Sequence, residues 1–178
     1  MENNEPMTFK QKIQSLRPIS IYLVSFFLVY VSEYMINQST NAVIDFEGAY
    51  EGYFYEFSQF AYQLGVFLSR SSLPLFKLPS YLVPVPSVLQ FLFLVLYCFE
   101  AEYTFINNFW VMMVLTFVEG LFGGLVYISG MYWVSVLSNK KTKEFRMSIS
   151  SLFNTAGVVL ASCIGMWLEP FLEKHKVW

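Results

Sequence analysis

Five long apolar runs, separated by short loops whose charges alternate in sign, limit what this chain can fold into. Backbone groups cannot be left unpaired in lipid, so a run of about 20 apolar residues reads as a membrane-crossing helix. The runs fall at about 18–36, 52–70, 80–99, 109–137 and 147–168 and use most of the 178 residues. Composition agrees: 56% of residues are hydrophobic and only 13% are charged, a balance that soluble domains of this size rarely show. The expected fold is an all-α membrane protein of about five transmembrane helices. Residues 1–17 form a cytosolic segment, 18–168 the transmembrane domain and 169–178 a luminal tail. The first seventeen residues are polar and lack a cleavable leader's apolar core, so the first run is expected to act as an uncleaved anchor.

Orientation follows from the basic residues. Lys10, Lys12 and Arg17 precede the first run, Arg70 and Lys77 join the second to the third, and Lys140, Lys141, Lys143 and Arg146 join the fourth to the fifth. All nine lie on one side of the threaded topology, which the positive-inside rule makes cytosolic. Asp45, Glu47, Glu51, Glu100, Glu102, Glu169 and Glu173 fall on the other side, with Lys174 and Lys176 the basic exceptions. The N-terminus is therefore expected in the cytosol and the C-terminus in the lumen.

Three acids, Glu33, Glu56 and Glu119, fall inside the runs, where an ionisable group is costly and marks a functional site by default. At 100° per residue, Glu56, Gln59, Gln63 and Arg70 share a sector of about 60° on the second helix. That stripe either lines a pathway for a polar solute or supplies hydrogen bonds between helices, each worth about 1 kcal/mol. On the fourth helix, Thr116, Glu119, Gly123, Tyr127 and Gly130 share another sector. Glu119 lies on the order of 15 Å below the luminal end by helix rise. It is either a proton-coupling carboxyl, with Arg70 or a helix-end donor as partner, or a structural acid bonded to a neighbouring hydroxyl or amide. Gly120 and Gly124 form a GxxxG pair that suits close helix packing. Gly157, Ala161 and Gly165 read the same way on the fifth helix, where Asn154 is the better solute contact. Glu33, near the end of the first run, carries less functional weight. The sequon Asn37-Gln38-Ser39 sits on the luminal side, close to that run's end.

Other chemistry is poorly served. The single histidine, His175, cannot build a triad or a His-based metal cluster, and the sequence has no phosphate-cradling glycine loop and no CxxC. No enzyme activity, cofactor, metal or nucleic-acid partner is expected. Cys98 and Cys163 lie within runs and are expected to pack rather than pair.

Four blocks carry a family resemblance. They are Val29-Tyr30-Val31-Ser32-Glu33-Tyr34-Met35-Ile36-Asn37-Gln38, the stretch from Tyr62-Gln63-Leu64-Gly65 through Ser69-Arg70-Ser71-Ser72, Glu119-Gly120-Leu121-Phe122-Gly123-Gly124-Leu125-Val126-Tyr127, and Glu144-Phe145-Arg146-Met147. In this order and spacing they resemble the battenin (Batten disease protein) family, over nearly everything from Pro18 onward and corresponding to that family's C-terminal half. Battenins are similar to major facilitator transporters, and Gly65 through Arg70 resembles a degraded form of that superfamily's cytosolic loop motif, with Ser69 where Asp is usual. The resemblance implies an endosomal, lysosomal or vacuolar membrane protein linked to luminal pH and to efflux of basic amino acids or phosphodiesters. The partners it implies are the bilayer, a small polar solute, and either an N-terminal half-transporter or further copies of the chain. Two functions stay open. One is half of a transporter; the other is a non-transporting adaptor or vestigial, truncated paralogue serving vesicle trafficking.

Overall fold

The computed structural model describes residues 8–46, 50 and 52–176. Glu47 and Glu51, two of the acids expected on the luminal side, lie outside these. Seven helices follow in chain order: α1 (Phe9–Leu16), α2 (Ser20–Met35), α3 (Asn41–Val43), α4 (Phe54–Ser71), α5 (Pro84–Tyr103), α6 (Phe109–Val136) and α7 (Lys140–His175). A 3-10 turn, Arg17–Ile19, joins α1 to α2, and a π turn, Ile36–Thr40, joins α2 to α3. The described residues contain no strand, so the molecule is an all-α membrane protein.

Four helical segments are long and apolar enough to cross a membrane: Phe9–Val43, Ser80–Tyr103, Phe109–Val136 and Lys140–His175. The fifth, α4, has 18 residues but is more polar and is not among them. It is covered by protein along one side, where it packs closely on α6.

Local chemistry sets most boundaries. Pro84 opens α5, where its missing N–H costs no hydrogen bond. Thr104, at φ 45°, closes α5 in the left-handed region. Asn108 and Asn139 cap α6 and α7 by accepting from the backbone N–H groups of Val111 and Thr142.

The first and last helical runs depart from expectation. The first helical run does not stop at Ile36; the π turn carries it to Val43, which moves Glu33 and Asn37 into the interior. Helix α6 runs unbroken for 28 residues, close to the expected 109–137. The last helix does not end before Pro170 but passes through it to His175. Proline removes one backbone hydrogen bond, yet the following turn is anchored: Leu172 is buried in the apolar cluster around Ile44 and Tyr97, and Lys176 Nζ donates to Val43 O at 2.7 Å. Most of the expected luminal tail is therefore helix.

Helix α2 is the centre of the bundle, with α5, α6 and α7 packed around it, while α4 pairs with α6. Contacts give the directions. Gly157 and Gly165 of α7 meet Phe27–Val31 and Ser39 in rising order, so α2 and α7 run parallel. Gly123 and Gly130 of α6 meet Glu33 and Phe26 in falling order, so α2 and α6 are antiparallel. Gly157, Ala161 and Gly165 thus serve close packing, as the small-residue spacing predicts.

Candidate functional site

The seam between α2 and α6 is made by small residues facing large polar ones. A Cβ on Gly123 would lie 2.5 Å from Glu33 Oε2, and one on Gly130 would lie 2.6 Å from the Phe26 ring. Glycine at 123 therefore creates the space that the Glu33 carboxylate occupies. One turn nearer the N-terminal end of α6, Glu119 faces Asn37. Both carboxylates are buried, Glu33 at 2% exposure and Glu119 at 0%.

Glu119 is held through one oxygen. Asn37 Nδ2 donates to its Oε1 at 3.0 Å and Gln90 Nε2, from α5, donates to the same oxygen at 3.2 Å. Its Oε2, like Glu33 Oε2, has no hydrogen-bond partner among the described residues. Beside it, Tyr97 of α5 and Thr116 of α6 share a 2.6 Å hydrogen bond. An ionised carboxylate in such a place needs pairing that the protein does not supply at Oε2. The free oxygen is thus suited to carry a proton.

The π turn decides where Asn37 points. Inserting one residue into the helical repeat re-aims the side chains that follow, and such turns are frequent at functional sites. Here Asn37 Nδ2 bonds Glu33 O at 2.8 Å as well as Glu119, while Gln59 of α4 donates to Asn37 O at 3.0 Å and to Oδ1 at 3.3 Å. Gln59 also lines a recess of about 190 Å³ between α2 and α4, together with Tyr34, Asn37, Tyr55, Tyr62 and Gln63. Three tyrosines and several amides surround a space large enough for a small solute, so a buried carboxyl stands one hydrogen bond behind a polar recess that Asn37 itself lines.

The expected site residues separate accordingly. Gln59 and Gln63 line the recess, and Glu56 lies exposed in the first turn of α4, at the other end of the same stripe from Arg70. Arg70 does not partner Glu119. Its guanidinium stacks 4.6 Å over the Tyr127 ring and makes a long 3.5 Å contact to Tyr30 OH, at the C-terminal end of α4. The relative register of two helices decides which side chains meet, and that register puts Asn37 and Gln90 at Glu119 instead. Glu33 is not at an interface; it is buried in mid-seam. Asn154 is buried, with Oδ1 unpartnered, on the α7 face that packs on α2, away from the recess lining. Asn37 cannot serve as an open sequon, because its amide is buried and spent on Glu33 and Glu119. Among the described residues no cluster of His, Cys, Asp and Glu could hold a metal ion.

Sequence reasoning missed Gln90 and saw Asn37 only as part of a sequon. Gln90 had a signal, as the one amide within the apolar stretch Val88–Phe99 of α5. Asn37 had none beyond its sequon, since a π turn breaks the 3.6-residue period on which face assignments depend.

The recess makes a prediction about accessibility. In a background without Cys98 and Cys163, Gln63→Cys should react with small hydrophilic thiol reagents. Leu64→Cys, which is 42% exposed but on the outward apolar face, should not, because the reactive thiolate does not form in lipid. Equal silence at both positions would mean that the recess is dry.

Residues 1–175 match the family described as CLN3 protein. Protein BTN1 of Yarrowia lipolytica is 34% identical over 172 residues, covering 91% of this chain and 42% of that protein. Protein BTN1 of Debaryomyces hansenii is 35% identical over 179 residues, covering 96% and 42%. Protein btn1 of Schizosaccharomyces pombe is 34% identical over 151 residues, covering 82% and 37%. The chain thus spans about two fifths of the length of the curated relatives it matches. No solved structure matches it significantly. The chain belongs to the CLN3 protein family and is an integral membrane protein.

Proposed function

We propose that this CLN3-family chain is half of a transporter in an endosomal, lysosomal or vacuolar membrane, moving small polar solutes out of the lumen in a way that depends on luminal pH. Basic amino acids and phosphodiesters are the solute classes that the family resemblance suggests. The N-terminus is cytosolic and the C-terminus luminal, in keeping with the nine basic residues on one side. The site binds and moves solute and breaks no covalent bond.

The observation that carries this reading is the recess backed by Gln59, Asn37 and Glu119. A structural acid needs no polar recess one hydrogen bond away. The flank of α4 on the recess side supports a partner half or a second copy: Glu56, Gln63 and Arg70 each leave exposed surface there, away from the apolar face that carries Leu64, and acyl chains do not solvate such groups. The greater length of the relatives is consistent with a second set of helices covering that flank.

Efflux from vesicles tests it. Vacuolar or lysosomal vesicles from cells expressing the chain are loaded with labelled arginine or a labelled glycerophosphodiester, and efflux is followed at several luminal pH values. At least one solute should leave several-fold faster than from vesicles lacking the chain. Identical efflux in both, with the chain present in the membrane, would favour the non-transporting adaptor.

A further inference from the structure

The chain of hydrogen bonds from the recess to Glu119 has an asymmetry that gives Asn37 a specific task. Its amide uses both ends: Oδ1 accepts from Gln59, a wall of the recess, and Nδ2 donates to Glu119 Oε1. Glu119 has no contact with the recess itself, since none of the lining residues belongs to α6. We infer that Asn37 is a coupling residue, through which occupancy of the recess changes the hydrogen bonding of the Glu119 carboxyl and so its hold on a proton. The inference rests on the transport reading of this site and says how its two parts communicate.

A solute in the recess can act on Asn37 directly, since Asn37 lines it, or through Gln59. Gln59 Nε2 bonds both the backbone and the side-chain oxygen of Asn37, at 3.0 and 3.3 Å. A solute that accepts a hydrogen bond inside the recess competes for that donor. Losing it leaves Asn37 Oδ1 unpaired and the amide held through Nδ2 alone, by Glu33 O at 2.8 Å and Glu119 Oε1 at 3.0 Å. A turn of the amide toward Glu33 O then withdraws Nδ2 from Glu119 Oε1 and leaves Gln90 as the remaining donor there among the described residues. Hydrogen bonds in such a chain polarise one another, so weakening the first weakens the second. By linkage the effect is reciprocal: protonating Glu119 alters how strongly Asn37 holds Gln59, and hence the affinity of the recess. The ionisable groups that face Glu119 are Glu33 on α2 and Tyr97 on α5. From α4, Arg70 lies at Tyr127, two turns away along α6.

When Glu119 is protonated, Oε2 carries the proton, because Oε1 already accepts two N–H groups and Oε2 accepts none. Oε1 is then the carbonyl oxygen, and the strength of the Asn37 hydrogen bond is written in its stretching frequency.

Difference infrared spectroscopy on the reconstituted full chain in proteoliposomes reads that frequency directly. Protonated-carboxyl bands are recorded across a pH titration and assigned by their loss in Glu119→Gln and Glu33→Gln. Two perturbations follow, neither touching Glu119. Gln59→Leu removes the donor from Asn37. A small hydrophilic methanethiosulfonate attached at Gln63→Cys fills the recess instead, and serves if the Gln59 variant does not assemble. Each should move the Glu119 band to higher frequency, as its carbonyl loses a donor, and leave the Glu33 band in place. A Glu119 band indifferent to both changes overturns the coupling while leaving transport intact. The absence of a Glu119 band at any pH overturns the proton reading and the coupling with it. Failure of vesicle efflux, with the band shifting as stated, removes transport but not the coupling.

Discussion

Gly120→Ala should abolish accumulation of the folded protein, while Gly123→Ala, three residues along the same helix, should not. A Cβ on Gly120 would overlap the backbone carbonyl of Tyr62, and Gly65 is equally tight from the other side, against the Phe117 carbonyl. Neither carbonyl can move without displacing its helix, so the α4–α6 pair would have to separate. Overpacking a well-packed contact costs about 1–3 kcal/mol where side chains can adjust. Here they cannot, and the cost falls at or above the top of that range. At Gly123 the added methyl meets the end of the Glu33 side chain, which can swing aside. That variant should reach the membrane at near-normal levels with Glu33 displaced. Quantifying membrane-extracted, monodisperse protein for both variants checks the contrast. Equal accumulation of Gly120→Ala and the unsubstituted chain would mean that α4 and α6 do not pack as closely as their glycines allow.

The contrast shows which parts of this architecture can be read from sequence. Helical periodicity placed Gln59 and Gln63 on one side of α4, and put Thr116, Glu119, Gly123 and Gly130 on one face of α6, all buried. The Gly120 and Gly124 spacing correctly indicated close packing, here against Tyr62 and the Val66–Ser69 turn. These are properties of single helices, and a 3.6-residue repeat encodes them. What a single helix cannot encode is its register against another. Arg70 was therefore a reasonable partner for Glu119 by charge, yet the packing sets it on Tyr127 and gives Glu119 to two amides. Local rules also yielded to packing at Pro170, where burial of Leu172 keeps the helix going. Glu33 was undervalued for a related reason. Its depth depended on where the first helix stops, and the π turn at Ile36–Thr40 carries that helix on.

Glu119→Gln should leave the protein in the membrane and remove the pH dependence of its efflux. The substitution keeps shape, and the amide oxygen can still accept from Asn37 Nδ2 and Gln90 Nε2 as Oε1 does now. What it removes is the second oxygen, which has no protein partner and is where a proton would bind. Glu33→Gln should behave differently. Its carboxylate makes no side-chain hydrogen bond among the described residues and sits on Gly123, so the loss alters charge in the seam without releasing Asn37, whose bond is to the Glu33 backbone. That variant should retain a pH response with an altered midpoint. Glu119→Leu separates assembly from titration. It strands the buried donors of Asn37 and Gln90, at about 1 kcal/mol each in a membrane, and adds branched bulk beside Gly120, so it should accumulate less than Glu119→Gln. Membrane levels and efflux across luminal pH, measured on all three, distinguish the outcomes. An unchanged pH response in Glu119→Gln would return this residue to a purely structural role. Loss of the Gln variant from the membrane would mean that the second oxygen is needed for folding, and that the proton site must be sought at Glu33.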